Sequence, residues 1–217
     1  MTASPTTKAS FSIVNFLAKL LSVLVHPLFI PMYFFAWVCV AFPTEFTSVL
    51  ENAFIRKGMV LFANVCFFPG IAIFLLWRLQ FIGSLQMHTQ KERIVPYIIV
   101  MFFYWWMYYL SRSFTDEPLV FRMFYFGNFV CISIALVCNS FFKISMHTMG
   151  VGGLVAAMVF TCIHYNTLMG GYLLLAVLAA GLLGTVRLWL HAHTAKEIYI
   201  GYIVSIVSQC AAAWYIL

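Results

Sequence analysis

The fold is decided by MGGYLLLAVLAAGLLGTVRLWL, residues 169 to 190, which is followed by the polar junction HAHT and another long apolar run. Roughly 20 apolar residues of helix cross a bilayer core of about 30 Å, so this stretch predicts a membrane span. Small side chains within it would permit close approach of a neighbouring helix. They are Gly170, Gly171, Ala179, Ala180, Gly181 and Gly184.

Similar apolar segments occupy most of the chain, and nothing in their pattern indicates β structure. The predicted spans are 11–42, 58–77, 94–110, 119–142, 143–163, 169–190 and 194–217. Pro27 and Pro31 should bend or break the first of these, so it is either one bent span or two shorter pieces. The sequence therefore predicts an all-α polytopic membrane helix bundle with six to seven transmembrane segments. His26, beside the first proline, is interpreted as a histidine satisfied at the kink.

Composition agrees with this class of protein. Of the 217 residues 64% are hydrophobic and 8% are charged, whereas soluble domains carry about 25% charged residues. We expect a polar tail at residues 1–10 and a single transmembrane domain over 11–217. The net charge of +6 comes without a basic run interleaved with aromatic residues, so nucleic acid is not an expected partner. The six cysteines lie in apolar stretches without C-x-x-C spacing, which indicates neither a disulfide framework nor a zinc site.

Three polar connections stand out, at residues 78–96, 143–147 and 187–197. Two predicted spans separate the first from the second, and two more separate the second from the third. Because two crossings return a chain to its starting side, all three should face the same aqueous boundary. Basic residues are balanced between the two ends once the candidate catalytic ones are set aside, so the positive-inside rule gives no orientation.

The third connection carries Arg187, His193 and Glu197 with spacings of six and four residues. Four residues on a helix would put His193 and Glu197 on one face. A carboxylate that binds one imidazole nitrogen leaves the other free to attack, and a guanidinium suits phosphate oxygens. Ionisable groups at the mouth of a membrane helix usually serve function.

The other two connections supply complementary groups for phosphoryl transfer on a lipid. Lys91 and Arg93, with Arg187, would clamp phosphoryl oxygens, and Ser145 stands at a helix start where free N–H groups favour anions. His147 would protonate the leaving alcohol and then activate water, while His193 would be the nucleophile. His88 or Arg78 could share the role of Lys91.

These motifs resemble the type 2 phosphatidic acid phosphatase superfamily over residues 88 to 201. Its three motifs are written K-x6-R-P, P-S-G-H and S-R-x5-H-x3-D, and this chain has Lys91, Arg93 and Pro96, then Ser145-x-His147, then Arg187-x5-His193-x3-Glu197. The resemblance implies a helical membrane fold, a phosphohistidine intermediate and dephosphorylation without a metal or other cofactor. The chain departs from the family where Val186 replaces serine, Glu197 replaces aspartate, and Lys91 lies two positions from Arg93.

Other interpretations stay open. Arg187, His193 and Glu197 could form an interface cluster that fixes helix depth. His191, His193 and Glu197 could bind a metal, although His191 and His193 would lie about 200° apart on a helix. A lipid phosphotransferase using the same site, or a non-catalytic binder or transporter of an anionic lipid, would also fit the sequence. The expected substrate is a phosphomonoester or pyrophosphate lipid, and the expected location is a cell membrane, in particular a bacterial cytoplasmic membrane.

Overall fold

The computed structural model describes residues 13–46, 53–87, 89–114 and 117–217, and every regular element in those ranges is helical. The α-helices are α1 (Ile13–Leu24), α2 (Ile30–Ala41), α3 (Ala53–Phe62), α4 (Phe68–Arg78), α5 (Gln90–Ser113), α6 (Leu119–Cys138), α7 (Met146–His164), α8 (Gly170–Trp189) and α9 (Ala195–Ile216). The expected tail at residues 1–10 and His88 lie outside the described residues.

Within the described residues, seven helical stretches are long and apolar enough to cross a membrane. They are Ile13–Ala41, Phe54–Arg78, Gln90–Ser113, Leu119–Cys138, Met146–His164, Gly170–Trp189 and Ala195–Ile216. The predicted all-α polytopic bundle is therefore confirmed, and the chain is a multi-pass membrane protein.

The prolines interrupt the first two spans in different ways. Between α1 and α2 the chain leaves the α-helix and forms a 3-10 turn at Pro27–Phe29, with His26 as its N-cap. The first apolar segment is thus a pair of helices joined at a break. In the second span the helix runs on through a π-helical turn, Ala63–Phe67, just before Pro69. Proline has no N–H, so Pro69 cannot donate the usual helical hydrogen bond. The π turn before it lets the helix continue without that bond.

Helix α9 lies at the centre of the packing, against α6 on one side and α7 on the other. Glycines allow these close contacts, because a Cβ at Gly127 would collide with Gln209, one at Gly152 with Ser205, and one at Gly201 with Thr148. Helix α8 is peripheral and exposes large apolar side chains over most of its surface.

The small residues of α8 behave differently from one another. Gly184 lies against Tyr202, whose hydroxyl donates a hydrogen bond of 2.6 Å to the Ala180 carbonyl. Added Cβ atoms at Gly171 and Gly181, in contrast, would meet no atom within 4 Å. The expectation of close helix approach is therefore correct for Ala180 and Gly184 and wrong for Gly171 and Gly181, which face away from the bundle.

Hydrogen bonds join the three polar connections at one end of the bundle. The Asn139 side chain, after α6, donates to the Gln90 carbonyl at the start of α5 (2.8 Å), and Arg93 donates to the Ile144 carbonyl (3.1 Å). The Ser145 N–H, before α7, donates to the Glu197 carbonyl in α9 (3.3 Å). The prediction that the three connections lie at the same end of the bundle is confirmed.

Candidate active site at the shared end of the bundle

The start of α9 is built by a capping box. The Thr194 hydroxyl accepts from the Glu197 N–H (3.4 Å), and the Glu197 carboxylate accepts from the Thr194 N–H (3.3 Å). These bonds satisfy N–H groups that the first helical turn would leave without partners. The helix therefore begins at Ala195, and His193 precedes it. His193 and Glu197 were predicted to pair because they would share one face of a helix, but His193 lies outside the helix. They pair because the capping box turns the Glu197 carboxylate back towards Thr194 and His193.

The pairing itself is present in the structure. His193 Nδ1 lies 2.7 Å from Glu197 Oε2. Because a carboxylate accepts, Nδ1 carries the hydrogen, and in the neutral ring Nε2 keeps a lone pair. The side chain of His193 is only 5% exposed. Burial lowers the pKa of His193 below its ordinary value, the hydrogen bond to Glu197 opposes that shift, and the charges of Arg187 and Arg93 reinforce it. The imidazole is consequently neutral at pH 7 and able to act as a nucleophile.

The second connection presents its groups from the first turn of α7. Ser145 is fully buried, and its hydroxyl has no hydrogen-bond partner among the described residues. Thr148 is also buried and donates to the Ile198 carbonyl of α9 (3.2 Å), which fixes the two helix starts side by side. His147 Nε2 lies 3.1 Å from the Ser22 carbonyl of α1. A carbonyl only accepts, so Nε2 is protonated and Nδ1 is the nitrogen left for other chemistry.

A third histidine lies in this cluster. The rings of His26 and His147 are 5.3 Å apart between centroids and nearly perpendicular, at 85°. The hydrogen bond from the Ser145 N–H to the Glu197 carbonyl brings the start of α7, and with it these two rings, to the end of the bundle where His193 lies. The interpretation of His26 as satisfied at the kink is confirmed, because its Nδ1 accepts from the Leu28 N–H (3.2 Å), but the contact with His147 was not predicted. The signal that could have found it is the broken helix, because breaks in membrane helices commonly line polar sites.

The two arginines are held differently. Arg93 is 7% exposed and donates through Nε to the Met87 carbonyl (2.9 Å) and through Nη1 to the Ile144 carbonyl (3.1 Å). These two hydrogen bonds use part of the guanidinium to join the first polar connection to the second. Arg187 is half-buried, and its Nε is enclosed without a hydrogen-bond partner in the described part of the chain. Arg187 is therefore the cation better placed to receive an anion.

The remaining candidates are exposed. Lys91 is exposed on the first turn of α5. Arg78 is exposed at the end of α4, where it lines an open pocket of about 400 Å³ with Trp77 and Gly83. His191 is exposed in the turn between α8 and α9 and has a φ of 50°. Across residues 13–46, 53–87, 89–114 and 117–217, no three His, Cys, Asp or Glu side chains are grouped as a metal site would require.

The cluster thus combines a carboxylate-bound neutral imidazole, a second imidazole with one nitrogen available, a buried hydroxyl and a half-buried guanidinium. These groups can bind an anionic phosphoryl oxygen, attack phosphorus and transfer a proton. Comparison of the chain with protein family models, with curated proteins and with solved structures finds no match.

Proposed function

We propose that this chain is an integral membrane lipid phosphatase that hydrolyses a phosphomonoester or pyrophosphate lipid through a phosphohistidine intermediate. The observation that carries the proposal is the 2.7 Å bond from His193 Nδ1 to Glu197, which leaves Nε2 as the nucleophilic nitrogen. The resemblance to the type 2 phosphatidic acid phosphatases supports the same reaction. A cell membrane location follows from the class of substrate.

In the first step, the lone pair of His193 Nε2 forms a bond to phosphorus while the bond from phosphorus to the leaving oxygen breaks. Glu197 stabilises the positive charge that develops on the His193 ring. Arg187, together with Arg93, neutralises charge on the phosphoryl oxygens. The Ser145 hydroxyl, which is buried without a partner among the described residues, would donate to one of those oxygens. Lys91 would add positive charge at the rim.

Protons are balanced through His147. The substrate brings the proton as a phosphomonoester monoanion. The neutral His147 ring retains Nε2–H on the Ser22 carbonyl, takes that proton at Nδ1 and gives it to the leaving oxygen. In the second step Nδ1 takes a proton from water, the resulting hydroxide attacks phosphorus, and the bond from His193 to phosphorus breaks to release inorganic phosphate.

A panel of phosphorylated lipids tests this function. Phosphatidic acid, phosphatidylglycerophosphate, a polyprenyl pyrophosphate and a lipid A phosphate would each be offered to the purified protein in mixed micelles, with phosphate release as the readout. We expect release from at least one substrate and its loss in His193→Ala. His191→Asn is the matched control, since Asn tolerates the φ of 50° at that exposed position.

The outcome also separates the alternatives. Transfer of the phosphoryl group to an added alcohol at the expense of release would indicate a lipid phosphotransferase. Binding of a phosphorylated lipid without turnover, unchanged by His193→Ala, would contradict the enzyme and indicate a binder or transporter.

A further inference from the structure

The break between α1 and α2 presents two groups to His147. The Ser22 carbonyl of α1 accepts a hydrogen bond from His147 Nε2 (3.1 Å). Four residues later, the His26 ring contacts the His147 ring edge-on. The break is itself seated on α7, because a Cβ at Gly150 would lie 3.1 Å from Ile30 and 3.3 Å from Pro27. Gly150 is three residues beyond His147 in α7. The contact at Gly150 therefore holds the break between α1 and α2 close to His147.

The ring of His26 is oriented by its own backbone. Its Nδ1 accepts from the Leu28 N–H (3.2 Å) as the N-cap of the 3-10 turn. Nδ1 is therefore unprotonated, and Nε2 carries the hydrogen in the neutral ring. Pro27 at the first position of that turn limits the backbone angles that follow. A cap bond and a proline together hold the His26 side chain in one place.

We infer that His26 is a positioning residue for His147. With the Ser22 carbonyl it confines the His147 ring to one rotamer and one tautomer, with Nε2–H directed at α1 and Nδ1 directed away from it. The catalytic consequence rests on the proposed function, in which Nδ1 transfers the proton to and from oxygen. The placement of the ring is a property of the folded protein and can be measured without substrate.

Two substitutions separate the two roles of His26. Asn is among the best N-cap residues, so His26→Asn retains an acceptor for the Leu28 N–H and removes the ring. His26→Phe retains a ring against His147 and removes the acceptor. His191→Asn makes the same chemical change at an exposed position outside the cluster.

The first measurement is ¹⁵N NMR of histidine-labelled protein, with the His147 resonances assigned from His147→Gln. We expect the wild type and His191→Asn to show a single tautomer with hydrogen on Nε2. His26→Asn should give a mixture of tautomers or a shifted Nδ1 resonance, and His26→Phe should remain close to wild type. Unchanged His147 resonances in His26→Asn would overturn the inference whether or not the protein is a phosphatase.

The second measurement compares a lipid phosphomonoester, whose alkoxide leaving group needs a proton, with p-nitrophenyl phosphate, whose phenolate does not. In single-turnover measurements of the first step, His26→Asn should slow transfer from the lipid substrate about tenfold while changing transfer from the aryl substrate by less than about twofold, a signature shared with His147→Gln. A merely structural role would slow both substrates equally, and that result would contradict positioning. If wild-type protein releases no phosphate from either substrate, the proposed function is wrong, and the NMR result alone decides the role of His26.

Discussion

Glu197 Oε2 accepts two hydrogen bonds, one from His193 Nδ1 at 2.7 Å and one from the Thr194 N–H at 3.3 Å. One carboxylate therefore orients the candidate nucleophile and caps the helix that follows it. Local helix formation and site geometry are thus coupled at this residue. The orientation of His193 does not depend on a distant part of the chain.

Glu197→Gln should separate these two effects. Glutamine also serves in a capping box, so the midpoint of thermal unfolding should change little. The charge that stabilises the protonated ring is lost, and phosphate release should fall by about 10²-fold or more, as when a catalytic histidine loses its carboxylate partner. Glu92→Gln is the matched control, because Thr89 and Glu92 form the same capping box on α5. Equal loss of activity in both variants would show that capping, and not the pair with His193, is what matters.

The pH behaviour of His193 follows from its burial. Its pKa lies below the ordinary value of about 6.5, so the neutral nucleophilic form should persist as the pH falls below that value. The Glu197 bond opposes this lowering, so Glu197→Gln should move the pKa further down. A ¹⁵N NMR titration of His193 in the wild type and in this variant measures both shifts. A midpoint above 6.5, or an upward shift in Glu197→Gln, would contradict the assignment.

The contact between α7 and α9 controls whether the connections meet. A Cβ at Gly201 would collide with the Thr148 hydroxyl and lie 3.0 Å from the Ser145 carbonyl. Gly201→Ala should therefore push the two helix starts apart, at a cost of about 1–3 kcal/mol in stability, and reduce phosphate release. Gly171→Ala is the control, because its Cβ would meet nothing within 4 Å and alanine favours the helix. Thermal unfolding in detergent distinguishes them, and equal stability of the two variants would be inconsistent with the close approach.

Arg93 and Lys91 should differ sharply in their importance. Arg93 is buried and joins the Met87 and Ile144 carbonyls, whereas Lys91 is exposed. Hydrogen bonds from a charged donor contribute about 1.5–3 kcal/mol each, so Arg93→Ala should reduce both stability and activity. Lys91→Ala should leave stability unchanged and activity within about threefold of wild type. Unfolding midpoints and kcat/KM values of the two variants test this order. A larger loss in Lys91→Ala than in Arg93→Ala would show that Lys91, and not Arg93, binds the phosphate from the first connection.

Much of the fold follows from the sequence, because membrane spans are set by length and polarity alone. The ends of those spans were harder to place. The third was predicted to begin at residue 94, but the capping box of Thr89 and Glu92 extends it to Gln90 by satisfying backbone groups with polar side chains. The fourth was predicted to reach residue 142, but it ends at Cys138, and the Asn139 side chain bonds to the start of α5.

The candidate site was predictable in its residues and less so in their arrangement. Counting crossings is enough to bring Arg93, Ser145 and Glu197 to one end of the bundle. Counting crossings does not predict the contact of His26 with His147, because these residues are 121 positions apart. The contact depends on the direction of the break between α1 and α2, and that direction is set by packing against Gly150. The local pattern His-Thr-x-Lys-Glu, present at residues 88–92 and 193–197, is the sequence signal for the two capping boxes.

The central claim is tested most directly by trapping the covalent intermediate. Protein mixed with ³²P-labelled lipid phosphate would be quenched in base within milliseconds and digested, and the labelled peptide identified. The account predicts an acid-labile, base-stable label on the peptide that contains His193, and its absence in His193→Ala. Rapid phosphate release without any label on the protein, or a label that persists in His193→Ala, would contradict it.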